Sequence, residues 1–180
     1  MTHRPITNCY WVIPNQFLAG EYPRTQDEET SQEKIDALVN AGVTAFLDLT
    51  EADEDLKPYA YFLETYQSKG ITHQRFPIRD VSTPRSSILT ASVLDAIDHH
   101  LKRGAMIYIH CRGGIGRTGT MVGCWLARNG YPGESALNHL HKLWQQCPKS
   151  AYYQSPETLE QERYILNWKD YTSTQATKQS

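Results

Sequence analysis

Apolar residues recur along this chain in two rhythms. Short apolar runs read as strands at Tyr10 to Ile13, Phe17 to Ala19, Thr44 to Leu49, Ile71 to Phe76 and Ala105 to Ile109. Pro14-Asn15 is the expected turn between the first two. Other segments carry helical spacing. Asp27 to Asn40 puts Ile35, Leu38 and Val39 on one face and is followed by Gly42, and Tyr59 to Ser68 is ended by Gly70. In Ala91 to Lys102, Val93, Leu94, Ile97 and Leu101 share a face, with Thr90 as the expected N-cap and Gly104 as the stop. Three more helices are predicted. They run from about Arg117 to Arg128, closed by Asn129-Gly130, from Glu134 to Gln146, and from Pro156 to Asp170 with Pro in its first turn. The polar stretch Glu51 to Lys57 and the Pro-, Ser- and Thr-rich Pro77 to Ser87 read as loops. Strands alternating with helices predict an α/β fold, a central mostly parallel sheet flanked by helices, as one domain over residues 1–170. The polar tail Tyr171 to Ser180 is expected to be disordered.

Composition narrows the classes. A length of 180 residues suits one domain, and 39% hydrophobic with 21% charged residues is ordinary for a soluble globular chain. A net charge of −2 lacks the basic footprint of nucleic-acid binding. No apolar run reaches the ~20 residues of a membrane helix, and Met1 to Cys9 has no apolar signal region. The chain is therefore expected in the cytoplasm, as a monomer. Cys9, Cys111, Cys124 and Cys147 form neither a C-x-x-C pair nor a zinc pattern, and are expected to stay reduced. No metal and no cofactor are expected. His99-His100 and His139-x-His141 read as surface or satisfied histidines, and Cys124 as packing.

The informative segment is Ile109-His110-Cys111-Arg112-Gly113-Gly114-Ile115-Gly116-Arg117-Thr118-Gly119. An apolar strand ends, a glycine-rich loop turns, and an amphipathic helix begins. Amides at a helix N-terminus are unpaired and partly positive, so they favour anions. Gly113, Gly114 and Gly116 let the backbone aim several N–H groups into one concavity. Arg117 adds a planar fork for two phosphate oxygens. The phosphate-binding set is thus Arg112, Gly113, Gly114, Ile115, Gly116 and Arg117. The same dipoles and arginine would stabilise a thiolate at Cys111, making it a nucleophile toward a bound phosphoryl group. Thr118 is placed to donate its hydroxyl to that sulfur, and His110 to fix the local geometry.

The pattern H-C-x-x-G-x-G-R-T-G resembles the signature of the protein tyrosine phosphatase superfamily, and its place in the chain resembles the compact dual-specificity and kinase-associated branch. The opening Trp11 to Pro14, Leu18 to Pro23 and Phe46 to Thr50 are similar to that branch too, so the likeness spans roughly residues 10–168. The resemblance implies a general acid on an upstream loop, and Asp80, 31 residues before Cys111, matches it. It also implies a residue that positions the hydrolytic water. Glu157 stands where that family has its first glutamine, and Gln161 matches the second and is the candidate.

The function expected is cysteine-dependent hydrolysis of phosphomonoesters through a phosphocysteine, with Cys111, Arg117, Asp80, Thr118 and Gln161 as catalytic residues. The expected partner is a phosphorylated protein or a small phosphomonoester. Inositol phosphates or phosphoinositides are the alternative substrates. A rhodanese-type sulfurtransferase is disfavoured by the Arg-Thr-Gly ending and by Asp80, and a catalytically dead phospho-binding module has no need of an acid. Arg112 is expected to point outward. Arg79 and Arg85 read equally as a solvated face or as a rim attracting anions.

Overall fold

The computed structural model describes residues 3–170. Five strands form one sheet: β1 (Cys9–Ile13), β2 (Phe17–Gly20), β3 (Val43–Asp48), β4 (Thr72–Arg75) and β5 (Met106–His110). Their spatial order is β1-β2-β5-β3-β4. Every pair is parallel except β1 with β2, an antiparallel hairpin whose turn puts Asn15 at φ 58°. The mixed α/β architecture with a mostly parallel sheet is the expected one.

Six helices cover the sheet: α1 (Glu28–Asn40), α2 (Ala60–Glu64), α3 (Ser87–Lys102), α4 (Gly116–Arg128), α5 (Glu134–Trp144) and α6 (Leu159–Asn167). The central strands are buried on both faces and split their side chains between two cores. Ala45, Leu47, Ile107 and Ile109 join the core beneath α3, α4, α5 and α6. Phe46 and Tyr108 point the other way, into the core with Ile35 and Leu38 of α1 and Phe62 of α2. Period-2 alternation thus assigns each residue of a central strand to one layer.

Three helices differ from expectation, two in their starts and one in its length. α3 begins at Ser87, because Ser86 caps it by accepting from Leu89 N at 3.1 Å. Thr90 is therefore not a cap but lies inside the helix, fully buried, with its hydroxyl 2.6 Å from the Tyr164 hydroxyl. α6 begins at Leu159 rather than Pro156, since Thr158 and Gln161 close a capping box there. The predicted helix Tyr59 to Ser68 is only five residues of α2 followed by a 3₁₀ turn at Gln67–Lys69. The tail, residues 171–180, lies outside the described residues.

The topology gathers loops at one place. In register, Gly20 and Asp48 flank His110, and Arg75 flanks Asp48, so four parallel strands end side by side. The loops that follow them leave from the same edge of the sheet, where α/β folds place their sites.

Candidate active site

The loop after β5 wraps a small cavity of about 140 Å³ lined by Asp80, Val81, Cys111, Arg112, Gly113, Ile115, Gly116, Arg117 and Glu157. Its shape is imposed by what holds its carbonyls. Arg112 O accepts from Tyr22 N at 3.0 Å, Gly113 O from Lys149 Nζ at 2.9 Å, and Ile115 O from Ser155 Oγ at 2.7 Å. All three donors lie outside the loop. A trans peptide sets its N–H opposite its C=O, so the amides of Gly113, Gly114 and Gly116 turn inward. Gly114 has φ 73°, and a Cβ there would come within 2.6 Å of Glu21 N. Only glycine lets the loop lie against the end of β2.

Cys111 is 3% exposed and Arg117 1% exposed, so the sulfur and the clamp form the floor of the cavity. Arg117 Nη1 donates to Ile78 O at 2.9 Å. Glu54 takes the fork with both carboxylate oxygens, Oε1 on Nη1 and Oε2 3.1 Å from Nη2. Asp80 Oδ1 lies 2.8 Å from Nη2. Burial opposes a charge on both partners, yet the pairing raises the pKa of Arg117 and lowers that of Glu54. Glu54 was not singled out in the sequence, where it is one of several acids between 51 and 57. Its signal was position, because that polar stretch leaves the same end of the sheet as Cys111.

Beneath the loop, His110 is fully buried with Nε2 2.7 Å from the Tyr59 hydroxyl. Burial dominates and pushes the His110 pKa down to about 4, against the attraction of Asp48. Asp48 is also fully buried. Burial works against its charge, but His110, His73 and Thr50 hold its pKa well below the ordinary carboxylate value. Arg75 adds two hydrogen bonds of 3.2 and 3.0 Å to Asp48 Oδ2.

The remaining candidates separate. Thr118 is fully buried and its hydroxyl has no hydrogen-bond partner among the described residues, so the expected bond to the Cys111 sulfur is not formed. Arg112 points outward as expected, with Nη2 on Asp55 O at 3.0 Å. Gln161 is fully buried and does not line the cavity. Its Oε1 accepts from Glu157 N at 3.0 Å and Thr158 N at 3.2 Å, and its Nε2 donates to Ser82 O at 3.0 Å. Both acceptor sites of Oε1 are thus taken, and the amide braces the Asp80 loop against α6, so water positioning by Gln161 stays an expectation that would fall to its Nε2. Glu157 lines the cavity. The other cysteines are buried and free, with burial pushing the Cys9 thiol up to about 11 and those of Cys124 and Cys147 upward as well. Among the described residues no three His, Cys, Asp or Glu side chains cluster as a metal site, and no helix is long and apolar enough to cross a membrane.

Comparison with known proteins places this arrangement. The mouse dual specificity protein phosphatase CDC14B is 32% identical over 126 residues, which are 66% of this chain and 24% of that protein. The putative tyrosine phosphatase 067L of Invertebrate iridescent virus 3 is 31% identical over 121 residues, 65% of this chain and 45% of that protein. The chain thus spans under half the length of these relatives. The structure of kinase associated phosphatase, with its catalytic cysteine replaced by serine, superposes with a TM-score of 0.67 at 22% identity over 83% of each chain. At that identity it shows the fold. A family model described as "Tc-R-P: Polymorphic toxin system, DSP-PTPase phosphatase" matches residues 20–131, from the end of β2 through the whole cradle and α4. Well over half of the chain lies inside that match, and the chain belongs to this DSP-PTPase phosphatase family.

Proposed function

We propose that this chain hydrolyses phosphomonoesters, in the first place phosphorylated tyrosine, serine or threonine of proteins, through a phosphocysteine at Cys111. One observation carries the reading. Three cradle carbonyls are held outward by Tyr22, Lys149 and Ser155, which turns the amides onto the space between Cys111 and Arg117. The relatives named dual specificity and tyrosine phosphatases support the same class of reaction.

In the first step the Cys111 sulfur attacks phosphorus, the bond to the leaving oxygen breaks, and Asp80 gives that oxygen its proton. Arg117 and the inward amides bear the charge on the three other oxygens. In the second step water attacks phosphorus, Asp80 takes its proton, and the sulfur–phosphorus bond breaks. Asp80 Oδ1 lies 2.8 Å from Arg117 Nη2, so the acid stands beside the clamp, and the buried Arg117 Nε, without a partner among the described residues, is the N–H that meets phosphate. The Thr118 hydroxyl, likewise without a partner among the described residues, donates to the sulfur as it becomes the leaving group.

The test is Cys111→Ser. Release of phosphate from a phosphotyrosine peptide should cease, while tungstate still binds, because the amides and Arg117 remain. A serine variant turning over at near the wild-type rate would remove the nucleophile from the scheme.

A further inference from the structure

Two acids, Asp80 and Glu157, line the cavity and a third, Glu54, pairs with its Arg117, an unusual surrounding for an anion site, and two of the three are neutralised within the fold. Glu54 is spent on Arg117, and Asp80 rests on the same guanidinium. Glu157 is different. It is exposed, it lines the cavity, and among the described residues its carboxylate has neither a hydrogen-bond nor an ion-pair partner. Its backbone is nonetheless anchored. Ser155 Oγ is fastened to Ile115 O at 2.7 Å, and Glu157 N donates to the buried Gln161 Oε1 at 3.0 Å. The carboxylate lies over the cradle, since a Cβ on Gly116 would lie 2.8 Å from Glu157 Oε2.

An unpaired carboxylate beside a phosphate cradle acts on whatever flanks the phosphate. A second anionic group on the substrate meets like charge there, whereas an ammonium, guanidinium or N–H donor meets the partner that the fold has left out. The nearest guanidinium in the cradle offers no relief, because Arg112 turns outward to Asp55 O.

We propose that Glu157 is a specificity-determining residue: it selects singly phosphorylated peptide sites flanked by cationic or hydrogen-bond-donating groups and rejects substrates that carry a second phosphate or carboxylate beside the first. The inference rests on the phosphatase reading above and names its substrate class. Gln161 holds the backbone of Glu157 at the edge of the cradle.

The experiment compares two phosphotyrosine peptides that differ only in flanking residues, Lys on both sides or Glu on both sides, with para-nitrophenyl phosphate as a substrate that has no flank. Wild type should prefer the Lys-flanked peptide by about 10-fold in kcat/KM, as expected for one fixed charge near the reacting group. Glu157→Gln should bring that ratio to within about threefold, and Glu157→Lys should invert it. Inositol hexakisphosphate should inhibit Glu157→Lys at a concentration about 10-fold lower than wild type. A flanking ratio unchanged in both variants, including the case where all substrates slow equally, would overturn the inference. The two readings fail differently. Loss of the inference leaves para-nitrophenyl phosphate turnover by wild type intact, whereas failure of the phosphatase reading means no turnover of any of the three substrates by wild type.

Discussion

The cradle and the acid loop leave the same edge of the sheet but are built on opposite terms. In the cradle, from Cys111 to Arg117, three carbonyls, of Arg112, Gly113 and Ile115, are tied to Tyr22 beyond β2, to Lys149 and to Ser155, and the Cys111 and Arg117 side chains are both buried. In the acid loop the backbone anchors lie to either side of Asp80, Ile78 O held by Arg117 and Ser82 O by Gln161. Asp80 itself is tied through its carboxylate, to Arg117 Nη2 at 2.8 Å and Val81 N at 3.0 Å, and its side chain stays 47% exposed. Val81 is 55% exposed and sits at φ 56°, a left-handed conformation that disfavours a β-branched side chain. The contrast suits the chemistry. A site for a developing charge must be preorganised, whereas a proton donor that also serves as base must reposition between steps.

Breaking the cradle should have the largest effect. In Gly114→Ala the added methyl meets Glu21 N at 2.6 Å and the residue must hold φ 73°. Left-handed strain and overlap with backbone should cost about 3 kcal/mol or more. Thermal unfolding should fall clearly and phosphatase activity should vanish. A variant with wild-type melting and activity would show that the close approach of loop and strand is dispensable.

Loss of the acid should be milder and selective. Asp80→Asn should slow a phosphotyrosine or phosphoserine peptide by ~10²- to 10⁴-fold. An activated aryl phosphate, whose leaving group needs no proton, should lose less in the first step. Melting should change little, because the Asp80 side chain is 47% exposed. Equal slowing of good and poor leaving groups would move the acid role to another residue.

The smallest effect concerns the support beneath the cradle. His110 is held neutral by burial, with its pKa lowered from 6.5 to about 4. Between those values the unfolded chain binds a proton that the folded one refuses, so stability rises with pH there. The contribution is complete above 6.5 and lost as pH falls toward 4. Denaturation in urea across this range should reveal that slope, and His110→Asn should reduce it. An unchanged slope in the variant would assign the titration to another group.

The same contrast explains what could be read from the chain. The cradle is contiguous, and each glycine in it has a backbone reason, so Cys111, Arg117 and the fold around them were legible from local pattern. The sheet was equally legible, because buried parallel strands are short apolar runs. The acid loop's position was legible but not its partners, which come from far along the chain: Glu54 reaches Arg117 across 63 residues and Gln161 reaches Ser82 across 79. Nothing in a polar run such as 51–57 marks which acid will face a guanidinium. The surroundings of Gln161 were hidden for a related reason. A capping box at Thr158 starts α6 three residues later than Pro156 suggests, and Gln161 is buried as part of it.

The central claim is that phosphate is transferred to the Cys111 sulfur, and mass spectrometry of rapidly quenched reactions addresses it directly. Asp80→Asn, lacking the base of the second step, is mixed with an aryl phosphate and quenched in acid within the first turnover. The account predicts a phosphoryl adduct on the peptide containing Cys111 and none on those containing Cys9, Cys124 or Cys147, whose thiols burial keeps protonated. Phosphate released in a burst with no adduct on any cysteine, or an adduct on a different residue, would contradict it.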